Sequence, residues 1–115
     1  MIKHLWSYSV VIDKIVPEEE APMLASRLAS DLSMKIVGTP SFHRYKGPAY
    51  NYLEHCANSH VLISTYPELG RTVVEADVCT DIELKDARAA FDRLADAIGG
   101  EVVFFAPVYI PLTED

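Results

Sequence analysis

Between Tyr50 and Val78 the chain carries three runs rich in β-branched and aromatic residues, parted by breaks too short for a helix. The runs are Tyr50 to Cys56, His60 to Thr65 and Thr72 to Val78; the breaks are Ala57-Asn58-Ser59 and Tyr66-Pro67-Glu68-Leu69-Gly70. Such connections make neighbouring strands antiparallel, because a parallel return needs a long crossover. The first break is a sharp reversal, and asparagine is one of the few residues that tolerates the left-handed backbone a reversal calls for. In the third run Val74, Ala76 and Val78 share one face, while Val73, Glu75, Asp77 and Cys79 share the other.

The flanking sequence supplies two helices and more strand. From Leu5 to Ile12, Trp6, Tyr8, Val10 and Ile12 form the more apolar of two alternating faces, the pattern of a strand packed on helices. Pro17 followed by Glu18, Glu19 and Glu20 reads as a helix start, and Pro22 delays the regular helix by a turn. Leu24, Ala25, Leu28, Ala29 and Leu32 then make an apolar stripe at helical spacing. Met34 to Val37 is expected as a short strand, interrupted by Gly38, Thr39 and Pro40, with extended chain resuming at Phe42 to Tyr45 and a turn at Lys46-Gly47-Pro48.

Thr80-x-x-Glu83 reads as a capping box for a second helix. Leu84, Ala87, Phe91, Leu94, Ala95 and Ile98 fall on one side of it, and Gly99-Gly100 stops it. Val102 to Phe105 is the last expected strand, with a short mixed tail after Pro107. The order β-α-β-β-β-α-β predicts an α+β two-layer sandwich in which both helices cover one face of a largely antiparallel sheet. Residues 1–115 read as a single domain of ordinary size. The sheet's other face is left to be covered, and a second copy of the chain is the expected cover.

Charge excludes some partners. The formal net charge is -7 and the ten Lys and Arg residues are scattered, whereas a nucleic-acid binder needs a concentrated basic face. Anionic membrane surfaces are disfavoured on the same ground, and no apolar run approaches the length of a transmembrane helix. The N-terminal apolar run alternates with Ser7 and Ser9 and lacks a small-residue cleavage pattern, so it reads as a strand and not a signal peptide. The two cysteines, Cys56 and Cys79, are too few for a disulfide framework and fit free thiols in a reducing compartment, so the cytoplasm is expected.

From the residues alone, no chemistry stands out. His43, His55, Cys56 and His60 can all bind zinc, but their spacing closes no tetrahedral site and alternation sends His55 and Cys56 to opposite faces, so no metal is expected. There is no glycine-rich phosphate loop, no GxSxG and no HExxH. In the bland reading Ser59 is a turn residue, Cys79 a small apolar one, and Tyr45 and Tyr66 half-buried sheet aromatics.

The stretch from Phe42 to Cys79 carries more specific signals: FHRY at Phe42 to Tyr45, NSH at Asn58 to His60, TYPELG at Thr65 to Gly70 and D-V-C at Asp77 to Cys79. It resembles the prokaryotic type of S-adenosylmethionine decarboxylase proenzyme, whose pattern runs close to FHxF, a glycine- and serine-containing loop, then ESHxTIHTWPEYGYxxxDxFTCG. The resemblance spans nearly the whole chain, with its specific residues in the middle third. It implies a zymogen of spermidine and polyamine biosynthesis that cuts itself between Asn58 and Ser59. A serine hydroxyl turns the preceding peptide bond into an ester, and elimination then leaves the serine as a pyruvoyl group. That group serves as the electron sink for decarboxylation, as pyridoxal phosphate does elsewhere. By resemblance Ser59 is the pyruvoyl precursor and Cys79 the proton donor. Tyr45 would stack on the adenine, Tyr66 replaces a tryptophan, and Glu68 would bind the ribose hydroxyls.

Two processing positions depart from that pattern. Ser64 stands where the family has a histidine, and Asn51 where it has a serine that assists maturation. Neither side chain titrates near neutrality, so neither replaces an imidazole as a base. His55 and His60 lie near Ser59 in sequence, but alternation puts His60 on the opposite side of the strand. Two other functions therefore stand beside a dimeric S-adenosylmethionine decarboxylase. One is an uncleaved, silent relative that binds a nucleoside-like ligand or regulates a partner subunit. The other is a decarboxylase of a basic amino acid such as arginine or ornithine.

Overall fold

The computed structural model describes residues 2–113. The chain forms β1 (His4–Ile12), α1 (Ala21–Asp31), β2 (Ser41–Arg44), β3 (Tyr50–Cys56), β4 (Ser59–Tyr66), β5 (Arg71–Val78), α2 (Leu84–Ala97) and β6 (Val102–Pro111). The strands make one antiparallel sheet in the order β2-β3-β4-β5-β1-β6. This is the expected α+β two-layer sandwich, with four strands between the helices where the sequence pattern counts three.

Alternation sorts each strand into a helix-facing row and an open row. Tyr8, Val10 and Ile12 of β1, Val61 and Ile63 of β4, and Val74, Ala76 and Val78 of β5 are buried beneath the helices. The α1 stripe of Leu24, Ala25, Leu28 and Ala29 meets them, as does the α2 row of Ala87, Ala90, Phe91, Leu94 and Ala95. On the open side no second layer among the described residues covers Leu53, Leu62, Val73, Phe104 or Val108, and the last two are 55% and 53% exposed.

Local chemistry explains the helix boundaries. Glu18–Glu20 form a single 3-10 turn and the regular helix begins at Ala21, the delay that Pro22 imposes from the second helical position. Both helices end in a Schellman arrangement. In α1, Met34 N–H donates to Ala29 O at 2.8 Å and Ser33 adopts a left-handed φ of 58°. In α2 the corresponding bond runs from Gly100 N–H to Ala95 O at 2.9 Å, with Gly99 at φ 71°.

Four local expectations are corrected. Met34 to Val37 is not a strand: only Ile36 bridges β3, at Cys56, because this segment passes the end of the sheet and turns away at Gly38. The capping box does not form; Thr80 Oγ1 donates instead to Leu32 O at 2.7 Å, tying the start of the second helical region to the end of α1. Leu84 is 44% exposed, since the helix begins there, beyond the reach of the core. The last strand runs on to Pro111, because β6 is an edge strand and a proline there forfeits no ladder bond on its free side. Among the described residues no helix is long and apolar enough to cross a membrane.

Candidate active site

The β3–β4 hairpin is closed by only Ala57 and Asn58, with Cys56 and Ser59 as the last facing pair. A two-residue connection bends this sharply when a residue accepts positive φ, and Asn58 sits at 58°. Ala57 N–H donates to Lys35 O at 2.8 Å, which pins the turn to the segment after α1. The backbone immediately before Ser59 is thus bent and anchored.

The β4–β5 register pairs His60 with Asp77, so the residue two beyond Asp77 arrives beside the residue before His60. Ser59 Oγ donates to Cys79 Sγ at 3.4 Å, and Cys79 Sγ donates to Ala57 O at 3.8 Å. Two residues twenty positions apart in sequence therefore meet at the hairpin turn. Cys56 lies on the same face as Ser59; burial pushes its thiol pKa up, and the charges of Glu54 and Cys79 add to the rise.

The other candidate residues gather at the opposite end of the same strands. Asn51 and Ser64 face each other across β3 and β4 on the open side. Asn51 Nδ2 donates to the Tyr45 hydroxyl at 2.7 Å, and the His43 ring packs edge-on against the Tyr45 ring with centroids 4.6 Å apart. Tyr66 ends β4, and Glu68 follows in the helical turn Pro67–Leu69, which closes at Gly70 with φ 63°. Tyr45, Tyr66 and Glu68 are all exposed. Seven residue steps along β4 lead from Ser59 to Tyr66, a span of about 23 Å at strand rise. One chain therefore keeps these two groups of candidate residues apart.

Neither nearby imidazole faces Ser59. His60 points to the open side, where its Nδ1 lies 3.9 Å from Asp77 Oδ2, too far for a hydrogen bond. His55 is also on that side, with Nε2 3.1 Å from Ser41 Oγ.

The sequence profile of the S-adenosylmethionine decarboxylase family matches residues 8–106. The chain belongs to the S-adenosylmethionine decarboxylase family. Among solved structures, the adenosylmethionine decarboxylase from Aquifex aeolicus VF5 has the same fold, with a TM-score of 0.69 at 16% identity over 99% of this chain and 96% of that one. No curated protein sequence matches the chain.

One residue of this family member escapes a motif-led reading. Glu54 is 5% exposed, on the helix-facing row of β3 between Tyr52 and Cys56. The Tyr52 hydroxyl donates to Glu54 Oε1 at 3.2 Å. Burial, then the charge and hydrogen bond of Glu54, push the Tyr52 pKa up to about 12. No Lys, Arg or His pairs with Glu54 among the described residues. Its signal was present in the alternation Tyr50, Tyr52, Glu54, Cys56, which places a carboxylate where every neighbour of the same parity is buried.

Proposed function

We propose that this member of the family is a pyruvoyl-dependent S-adenosylmethionine decarboxylase of polyamine synthesis that cuts itself between Asn58 and Ser59. In this reading residues 1–115 are one cytoplasmic domain acting as a homodimer. The observation that carries the reading is the contact of Ser59 Oγ with Cys79 Sγ, at 3.4 Å, directly after a left-handed Asn58. Backbone held in a sparsely populated conformation favours an attack that relieves it. The residues present also fit the mature cofactor: Ser59 opens a strand at a sheet end, where a new N-terminus is free to separate from Asn58. The pyruvoyl group would supply an electron sink for the pair left on the substrate carbon when carbon dioxide departs. Cys79, already within reach of Ser59, delivers the proton that replaces the carboxylate.

Tyr45, Tyr66 and Glu68 hold the nucleoside: an aromatic face for the adenine and a carboxylate for the ribose hydroxyls. Asn51 holds Tyr45 through its hydroxyl. These groups lie about 23 Å along the sheet from Ser59, beyond what one substrate molecule spans. A two-fold partner packed on the open face, with strands reversed, places the Tyr45 end of one chain over the Ser59 end of the other. The uncovered Leu53, Leu62, Val73, Phe104 and Val108 support that arrangement, since stacked sheets bury such rows.

The test is the intact mass of the purified protein with an assay of carbon dioxide release. Two fragments, 1–58 and 59–115, the second with a ketone-reactive N-terminus, are expected. Release from S-adenosylmethionine and not from arginine or ornithine identifies the substrate. A single full-length species after prolonged incubation overturns the reading. The facing pair Asn51 and Ser64, neither of which can serve as a base, favours one alternative: an uncleaved relative that binds a nucleoside. An intact chain that still binds adenosine would establish it.

A further inference from the structure

We propose that Glu54 is the base that takes the Cα proton of Ser59 during maturation. The inference rests on the self-cleavage reading above and names a group for the step that Ser64 and Asn51 cannot perform.

The geometry begins with the faces of the hairpin. Glu54 pairs with Val61, and Ser59 precedes Val61 by two residues, so Glu54 and Ser59 are diagonal neighbours on the helix-facing side. Diagonal neighbours lie about 7–8 Å apart, within reach of a long side chain. His55 and His60 are on the other side of the same two strands, His55 bonded to Ser41 and His60 turned towards Asp77. The Glu54 carboxylate therefore shares a face with the cleavage serine, as neither imidazole does.

Its burial supports the same conclusion. An ionised carboxylate is costly to bury without a cation, and Glu54 is 5% exposed with the Tyr52 hydroxyl as its hydrogen-bond donor. A neutral residue of similar shape would serve the core better, so a functional role accounts for the acid. Tyr52 flanks Glu54 on one side along β3 and donates to it. Cys56, which faces Ser59 directly across the hairpin, flanks it on the other side along β3.

The chemistry closes without a further reagent except water. Ser59 Oγ attacks the Asn58 carbonyl carbon, the C–N bond breaks, and the freed nitrogen takes the hydroxyl proton, leaving an ester. The Glu54 carboxylate then takes the Cα proton of Ser59. The Cβ–O bond breaks, its electron pair leaves with the Asn58 carboxylate, and that group receives the proton from Glu54. The remaining enamine shifts a proton from nitrogen to Cβ, and water releases ammonia to leave the ketone.

The experiment follows the intact mass of wild type, Glu54→Gln, Glu54→Asp and Ser59→Ala over time, with and without hydroxylamine. Wild type is expected to fragment unaided. Glu54→Gln should fragment at least about a hundredfold more slowly, the smaller end of what a positioned base contributes. It should also accumulate the ester, which hydroxylamine cleaves between Asn58 and Ser59. Its thermal unfolding midpoint should match or exceed wild type, because a buried charge is gone. Glu54→Asp, charged but shorter, should accumulate the same ester and keeps the test valid if the glutamine variant fails to fold. Ser59→Ala should resist hydroxylamine. Glutamine and aspartate variants that mature at the wild-type rate, or that stay whole and inert to hydroxylamine, overturn the role of Glu54 while leaving self-cleavage standing. Wild type that never fragments overturns the self-cleavage reading, and the base with it.

Discussion

The two ends of the β3–β4 hairpin hold different chemistry and are built differently. At the turn, Cys79 contacts both the Ser59 hydroxyl and the Ala57 carbonyl, and the thiol Cys56 and the carboxylate Glu54 are buried nearby on β3. At the other end Tyr45, Tyr66 and Glu68 are exposed, and among the described residues only Tyr45 is held, by Asn51 and the His43 ring. The first end suits bond-making, where groups must be fixed and shielded from water. The second suits binding, with flat rings and a carboxylate offered to a ligand. Strand length keeps the two apart, and the proposed dimer is the arrangement that would bring them together.

Removing the reactive end should have the largest effect. Ser59→Ala is expected to abolish fragmentation and all carbon dioxide release, read by intact mass and by gas evolution. Breaking the link between the ends comes next. A charge on the open face, Leu62→Asp, should leave a folded monomer in light scattering with no measurable decarboxylation. Co-expressing Ser59→Ala with Glu68→Ala sharpens the point, because each variant alone is expected to be inactive. In a mixed dimer one of the two sites regains both halves, so about a quarter of wild-type activity should return. No recovery would mean that each chain completes its own site.

Smaller effects separate roles within each end. Cys79→Ala should still fragment but decarboxylate roughly a hundredfold more slowly, as loss of a positioned proton donor predicts. A smaller loss of rate would leave the cysteine as a packing residue. Asn51→Ala frees the Tyr45 ring from a single hydrogen bond, a loss of about 1 kcal/mol, so KM should rise several-fold with kcat little changed. An equal fall in kcat would place Asn51 in the chemistry.

The architecture was readable because period-two and helical patterns are local. The α1 stripe from Leu24 to Leu32 and the two faces of β5 are as the alternation predicts. What failed locally failed for tertiary reasons. Thr80 exchanges its capping role for the Leu32 carbonyl because the end of α1 lies beside it, and β6 continues through Pro107 because the edge of a sheet tolerates a missing donor. Family motifs pointed to Ser59 and Cys79 but passed over Glu54, since motif matching looks for residues shared with relatives.

By itself, the sequence determined the strand faces, the helix stripes, the sharp turn at Asn58 and the types of side chain available for chemistry. These follow from steric and hydrophobic periodicity over a few residues. Only the tertiary structure decided which of those side chains meet. The β4–β5 register brings Ser59 to Cys79, the pleat turns His60 away and keeps Glu54 on the serine's face, and the length of β4 holds the nucleoside-binding candidates about 23 Å off. Register and strand length are settled by the packing of the whole sheet, which no short stretch of sequence contains.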